Sequence, residues 1–154
     1  MDFRQANWWR GLQAYVAVSA AAHLVWEILQ LPLYTIWASG TTRELAFAVV
    51  HCTAGDVLIA LAALSVSLIV VGSKNWPGER YWQVTLVTVA LGLGYTVYSE
   101  WLNVAVRGNW AYAPAMPVVP LVGTGLSPLL QWVIVPALAL AGARTAALRP
   151  DGTG

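Results

Sequence analysis

Apolar residues run along this chain in four long stretches, separated by short segments where the charges collect. They extend over about 11–37, 44–72, 81–106 and 127–148. Each exceeds the roughly 20 residues that an α-helix needs to cross a hydrocarbon core of about 30 Å. Backbone polar groups in lipid must satisfy one another within the segment, so the stretches predict helices rather than open strands. The reading is an all-α integral membrane protein, one domain over 1–154, folded as a four-transmembrane-helix bundle. Ser127-Pro128 predicts an N-cap and first helical residue for the fourth helix. Pro32 lacks the N–H that would bond the carbonyl of Ile28, which predicts a kink in the first helix beside Glu27. Between helices 3 and 4, Pro114, Pro117, Pro120, Gly123 and Gly125 mark an apolar loop resting on the outer end of the bundle.

Composition agrees with the pattern: 58% of the 154 residues are hydrophobic and 10% are charged, well short of what coats a water-facing surface. A net charge of +1 offers no basic patch for nucleic acid, and one cysteine excludes an internal disulfide framework. Ser19-Ala20-Ala21-Ala22 faintly resembles a signal cleavage site, but the apolar run continues past it, so the segment reads as a retained helix. Six of the eight basic residues (Arg4, Arg10, Lys74, Arg80, Arg144, Arg149) fall at the termini and the middle loop. Arg43 and Arg107 alone fall in the other two loops. The positive-inside rule then puts both termini in the cytoplasm of a bacterial inner membrane. Trp8, Trp9, Trp76 and Trp82 would mark the inner interface, and Trp37, Trp101 and Trp110 the outer one.

Ionisable groups within membrane spans are costly and usually have a task. Here they are His23 and Glu27 on helix 1, His51 and Asp56 on helix 2, and Glu100 with Asn103 on helix 3. At 1.5 Å per residue, Glu27 lies about 14 Å below the outer end of its span and His23 about 20 Å. The corresponding depths are about 10 Å for His51, 18 Å for Asp56, 9 Å for Glu100 and 5 Å for Asn103. Gln30 and Gln131 fall in the same layer. One polar pocket opening toward the outer face accounts for this clustering. His23, Glu27 and Gln30 share a stripe of helix 1. His51 and Asp56 are about 140° apart, so they do not both point straight into one small site; one touches it and the other flanks or supports it. The plainer alternatives are a packing pair for His23–Glu27, a neighbouring hydroxyl or indole for Asp56, and Arg107 or Arg43 as partner for Glu100.

Three functions compete. A lipophilic substrate, worked on by an isomerase, cyclase or hydrolase, suits carboxyl groups in low dielectric, where one stays protonated while another is ionised. His23, Glu27, Asp56 and Glu100 would then be catalytic, and Trp26, Gln30, Asn103, Trp110, Tyr112 and Gln131 would bind substrate. No cofactor is required. Alternatively His23, Glu27, His51, Asp56 and Glu100 hold a divalent metal, zinc or non-haem iron, for which His-x-x-x-Glu is a sound chelate. A small transporter or accessory subunit is the third reading; it needs a homo-oligomer, because one four-helix protomer is too thin for a path.

The segments His23-Leu-Val-Trp-Glu27-Ile-Leu-Gln30-Leu-Pro32-Leu-Tyr34, His51-Cys-Thr-Ala-Gly-Asp56, Ser99-Glu-Trp-Leu-Asn103 and Gly108-Asn-Trp-Ala-Tyr112 resemble those of small bacterial four-helix inner-membrane proteins. That resemblance carries no activity with it. The chain also faintly resembles membrane proteins of the emopamil-binding, sterol-isomerase kind, although it has one span fewer. This second resemblance implies proton transfer at a double bond, with Glu27 and Glu100 as acid and base.

Overall fold

The computed structural model describes residues 7–150; Arg4, which entered the charge count above, lies outside them. The chain is mostly helical. Helix α1 (Trp8–Gln30) is followed by a 3-10 turn (Leu31–Leu33) and a single helical turn, α2 (Ile36–Ser39). Then come α3 (Thr42–Val71), α4 (Tyr81–Glu100), a π-helical turn (Trp101–Val106), a two-residue hairpin (β1 Val118–Val119, β2 Thr124–Gly125) and α5 (Leu126–Ala147). Three helical segments are long and apolar enough to cross a membrane: Trp8–Leu33, Thr42–Val71 and Leu126–Ala147. Helix α4 is not among them; Gln83, Thr85, Thr88, Tyr95, Thr96 and Tyr98 dilute its apolar run.

The four long helices pack side by side, with α1 against α5 as the most extensive contact. Small residues let those two backbones close up: a Cβ on Gly11 would stand 3.3 Å from the Ala147 Cβ, and one on Gly142 would stand 3.2 Å from Val18. Helix α4 lies equally close to α5, since a Cβ on Gly92 would fall 2.2 Å from the Trp132 ring. Outward, the bundle presents Leu29, Phe47, Leu58, Ile69, Val70 and Leu86, all more than half exposed. An apolar exterior of this kind suits lipid and not water.

The core occupies one end only. Tyr15, Ala60, Leu64, Trp76, Tyr81, Val84, Leu140 and Ala143 fill the end that carries the 72–80 connection. Helix α3 buries Ala60, Ala63, Leu64 and Ser67 there, and in its first half it buries Val49 alone. Its first half is therefore little covered by the rest of the bundle, and a hollow opens at that end. Helix α3 begins with a reciprocal cap: Thr41 accepts from the Glu44 N–H, and the Glu44 carboxylate accepts from Thr41 N at 2.7 Å.

Three expectations need correction. Pro32 does not kink a long first helix; it sits in the 3-10 turn that ends α1 at Gln30, so Trp37 falls on a separate turn. The strand-like stretch that follows pairs with the loop after the π turn instead, with Thr35 N donating to the Ala111 carbonyl and Ala113 N to the Leu33 carbonyl, both at 2.9 Å. Gly125, not Ser127, precedes the first residue of α5, because the Ser127 hydroxyl is taken up by partners on α1. The third stretch is α-helical only to Glu100, after which it widens into the π turn, closed by Arg107 N donating to the Leu102 carbonyl at 2.8 Å.

Candidate functional site

The hollow end holds a cavity of about 1070 Å³, walled by the end of α1, the first half of α3, the second half of α4, the π turn and the start of α5. On its floor the i, i+4 stripe of α1 delivers Glu27, 8% exposed, beside Gln30 at 5%. Helix α3 brings Asp56 and α5 brings Gln131. The Gln131 amide nitrogen is the meeting point. It lies 2.9 Å from Glu27 Oε1, 2.9 Å from Asp56 Oδ2 and 3.0 Å from His23 Nδ1.

An amide has two protons to give, so it cannot serve all three partners fully. His23 Nδ1 also lies 3.3 Å from Asp56 Oδ2, and among the described residues its buried Nε2 has no hydrogen-bond partner. Glu27 and Asp56 are thus joined through a single amide nitrogen that lies 2.9 Å from each. Gln30 donates to Glu27 Oε1 at 2.8 Å, and its own oxygen accepts from Ser127, which in turn accepts from Trp26 Nε1. The floor is thus a cross-linked polar web joining α1, α3 and α5.

A second station stands on α4. Glu100, 7% exposed, accepts a short hydrogen bond from the Tyr112 hydroxyl. That hydroxyl accepts from Gly125 N at 2.9 Å, which ties the carboxylate to the loop and to the hairpin. Burial, and then the Glu100 bond, push the Tyr112 phenol above its ordinary range, so it remains a donor. The Trp110 indole N–H lies beside Glu100 without closing a hydrogen bond. Above it, Asn109 donates to Asn103 Oδ1 at 2.7 Å, and Asn103 donates to the Ser99 carbonyl at 2.9 Å.

Of the residues singled out from sequence, Glu27, Gln30, His51, Asp56, Glu100, Asn103, Trp110 and Gln131 line the cavity. His23, fully buried, stands behind the wall and reaches it only through Asp56 and Gln131. Trp26 and Tyr112, expected as pocket walls, spend their polar atoms behind the lining on Ser127 and Glu100. Glu100 pairs with Tyr112, so neither Arg107 nor Arg43 is its partner. Asp56 joins the web, whereas His51 is exposed and stacks on Phe47 with ring centroids 5.5 Å apart. Among the described residues no three His, Cys, Asp or Glu side chains converge as a metal-holding group. Tyr15 was not singled out in the sequence, and Ser19 and Ser127 were read there only as part of a cleavage-like run and as a helix cap. Tyr15 and Ser19 extend the His23–Glu27 stripe at the same four-residue spacing and are both buried, a signal available to periodicity alone.

No family model matches the chain, and no curated protein or solved structure is similar to it.

Proposed function

We propose that the protein is a four-helix enzyme of a bacterial inner membrane, with α4 as the fourth span and both termini in the cytoplasm. In this reading it performs acid–base chemistry of the isomerase or cyclase type on a lipophilic substrate. The observation that carries the reading is the carboxyl pair Glu27–Asp56, held by one amide on the floor of a large cavity, with a third buried carboxyl, Glu100, on a neighbouring wall. A carboxyl pair sharing a proton is a ready acid, and a separate carboxylate with a tyrosine donor is a ready base. One member of the Glu27–Asp56 pair gives a proton to one carbon of a double bond, and a carboxylate of the site takes a proton from the allylic carbon on its far side, so the double bond moves one place and the net charge of substrate and site is unchanged. His23 acts through Asp56 and is a positioning residue; Gln131 fixes the distance between the two acids.

The test is proton exchange. Purified protein is incubated in D2O with a total lipid extract from a bacterial membrane, and the lipids are then surveyed by mass spectrometry. A species that gains one deuterium or changes isomer, and does so at least 100-fold more slowly with Glu27→Gln, supports the reading. Lipids that match the protein-free control throughout would overturn it. Metal analysis of gently purified protein discriminates the alternative: about one zinc or iron per chain, lost in His23→Ala, would replace this proposal with a metal site.

A further inference from the structure

The mouth of the cavity carries the chemistry that the floor does not explain. Arg43, in the first turn of α3, and Arg107, just past the π turn, both line it. Among the described residues neither guanidinium has a hydrogen bond or an ion pair. The carboxylate nearest in sequence to Arg43 is Glu44, and it is committed to Thr41 through bonds of 2.7 and 2.8 Å. Glu100, one helical stretch below Arg107, is committed to Tyr112. The positive end of the α3 dipole also disfavours a cation where Arg43 stands, so helix stability gives no reason for it. Arg43 and Arg107 are two of only eight basic residues in the chain, and both open onto the same hollow.

Below these arginines the walls turn apolar, with Phe47, Ala48 and Ile59 on one side and Leu31 and Ile36 on the other. Between α3 and α4 the hollow is unsealed, because the first half of α3 buries only Val49 and Phe47 remains 68% exposed. A cavity of about 1070 Å³ lies at the upper end of the range for small-molecule sites and has room for a long molecule. Glu100 precedes Arg107 by seven residues and Asp56 follows Arg43 by thirteen, so the helices carry both carboxyl groups away from the arginines.

We infer that the occupant is an amphiphile with an anionic head, phosphate or carboxylate, whose head is held by Arg43 and Arg107 at the mouth while its apolar body enters between α3 and α4. The inference rests on the acid–base reading of the floor and names its substrate class. Guanidinium forks match phosphate and carboxylate oxygens, and in a partly desolvated mouth they discriminate strongly against a neutral head. The spacing puts the carboxyl groups against the body of the chain and leaves the head unreacted.

Binding is measured by native mass spectrometry from a non-ionic detergent, with dodecyl phosphate, dodecanol and inorganic phosphate as probes at equal mole fraction. Dodecyl phosphate is expected to bind at least tenfold better than dodecanol, and R43A/R107A to abolish that preference. Arg149→Ala serves as the control and should keep it. Because Arg43 and Arg107 are exposed, the double variant should fold; R43Q/R107Q and its helical content by circular dichroism check this independently. Equal binding of the two amphiphiles, a phosphate preference that survives both double variants, or inorganic phosphate binding as well as dodecyl phosphate would each overturn the inference. Arginine-dependent binding without any proton exchange in lipids would remove the acid–base reading and leave this one standing. Exchange that proceeds unchanged in R43A/R107A would do the reverse.

Discussion

Gln131→Leu is the most informative single change. The substitution puts an apolar side chain, one bond shorter, in place of the amide, whose nitrogen lies 2.9 Å from both Glu27 and Asp56. Gln131 is 2% exposed and Glu27 8%, so water replaces the lost donor only in part. A hydrogen bond to a charged group contributes about 1.5–3 kcal/mol in soluble proteins, and two of them give roughly 3–6. Within membranes the unfolded reference also finds partners, and polar contacts between helices average nearer 0.6 kcal/mol. Weighing the two, we expect a loss of about 2–4 kcal/mol, since the partners left behind are carboxyl groups without a donor. Reversible unfolding in mixed micelles would measure it. In a double-mutant cycle with Asp56→Ala the coupling should reach about 1 kcal/mol, because the two residues share one bond. A loss below about 0.5 kcal/mol together with zero coupling would refute the claim that this amide holds the floor together.

Gln131→Glu should be worse than Gln131→Leu at pH 8 and recover toward pH 5, since an added carboxyl can donate only when protonated; the same unfolding assay at both pH values reads this. Tyr112→Phe removes the donor to Glu100 and the acceptor of Gly125 N, so amide exchange at Gly125 should rise while α1 stays protected. The Tyr112 phenol is held above its ordinary value of about 10, so the stability it contributes is present below that pH and is lost only as alkaline titration reaches its raised folded value. An ultraviolet difference titration should therefore find one phenol in the wild type, absent in Tyr112→Phe, that ionises later than the exposed tyrosines. Gly92→Ala forces a Cβ to 2.2 Å from the Trp132 ring and should cost about 1–3 kcal/mol, largely relieved when Trp132→Leu is added.

Helicity and the presence of apolar helices long enough to cross a membrane were legible in the residues themselves. Hydropathy and helical rise are properties of a sequence read along one dimension, and they suffice to put Glu27, Asp56 and Glu100 at comparable depth. The four-residue spacing of His23 and Glu27 also fixed a common face, because a helix allows no other arrangement. Partner choice was not legible. It depends on how each helix is rotated and tilted against its neighbours, and those angles come from contacts distant in sequence, such as Gly92 under Trp132 and Gly11 against Ala147. Gln131 could be assigned to the right layer, yet only packing made its amide the shared partner of three residues from two other helices. Tyr112 meets Glu100 because the loop between α4 and α5 folds back and pairs with the stretch after Pro32, a pairing with no local signature. The hollow itself opens where the first half of α3 buries little. A pattern of apolar residues specifies what a helix can bury, and the assembled bundle decides where nothing is buried at all.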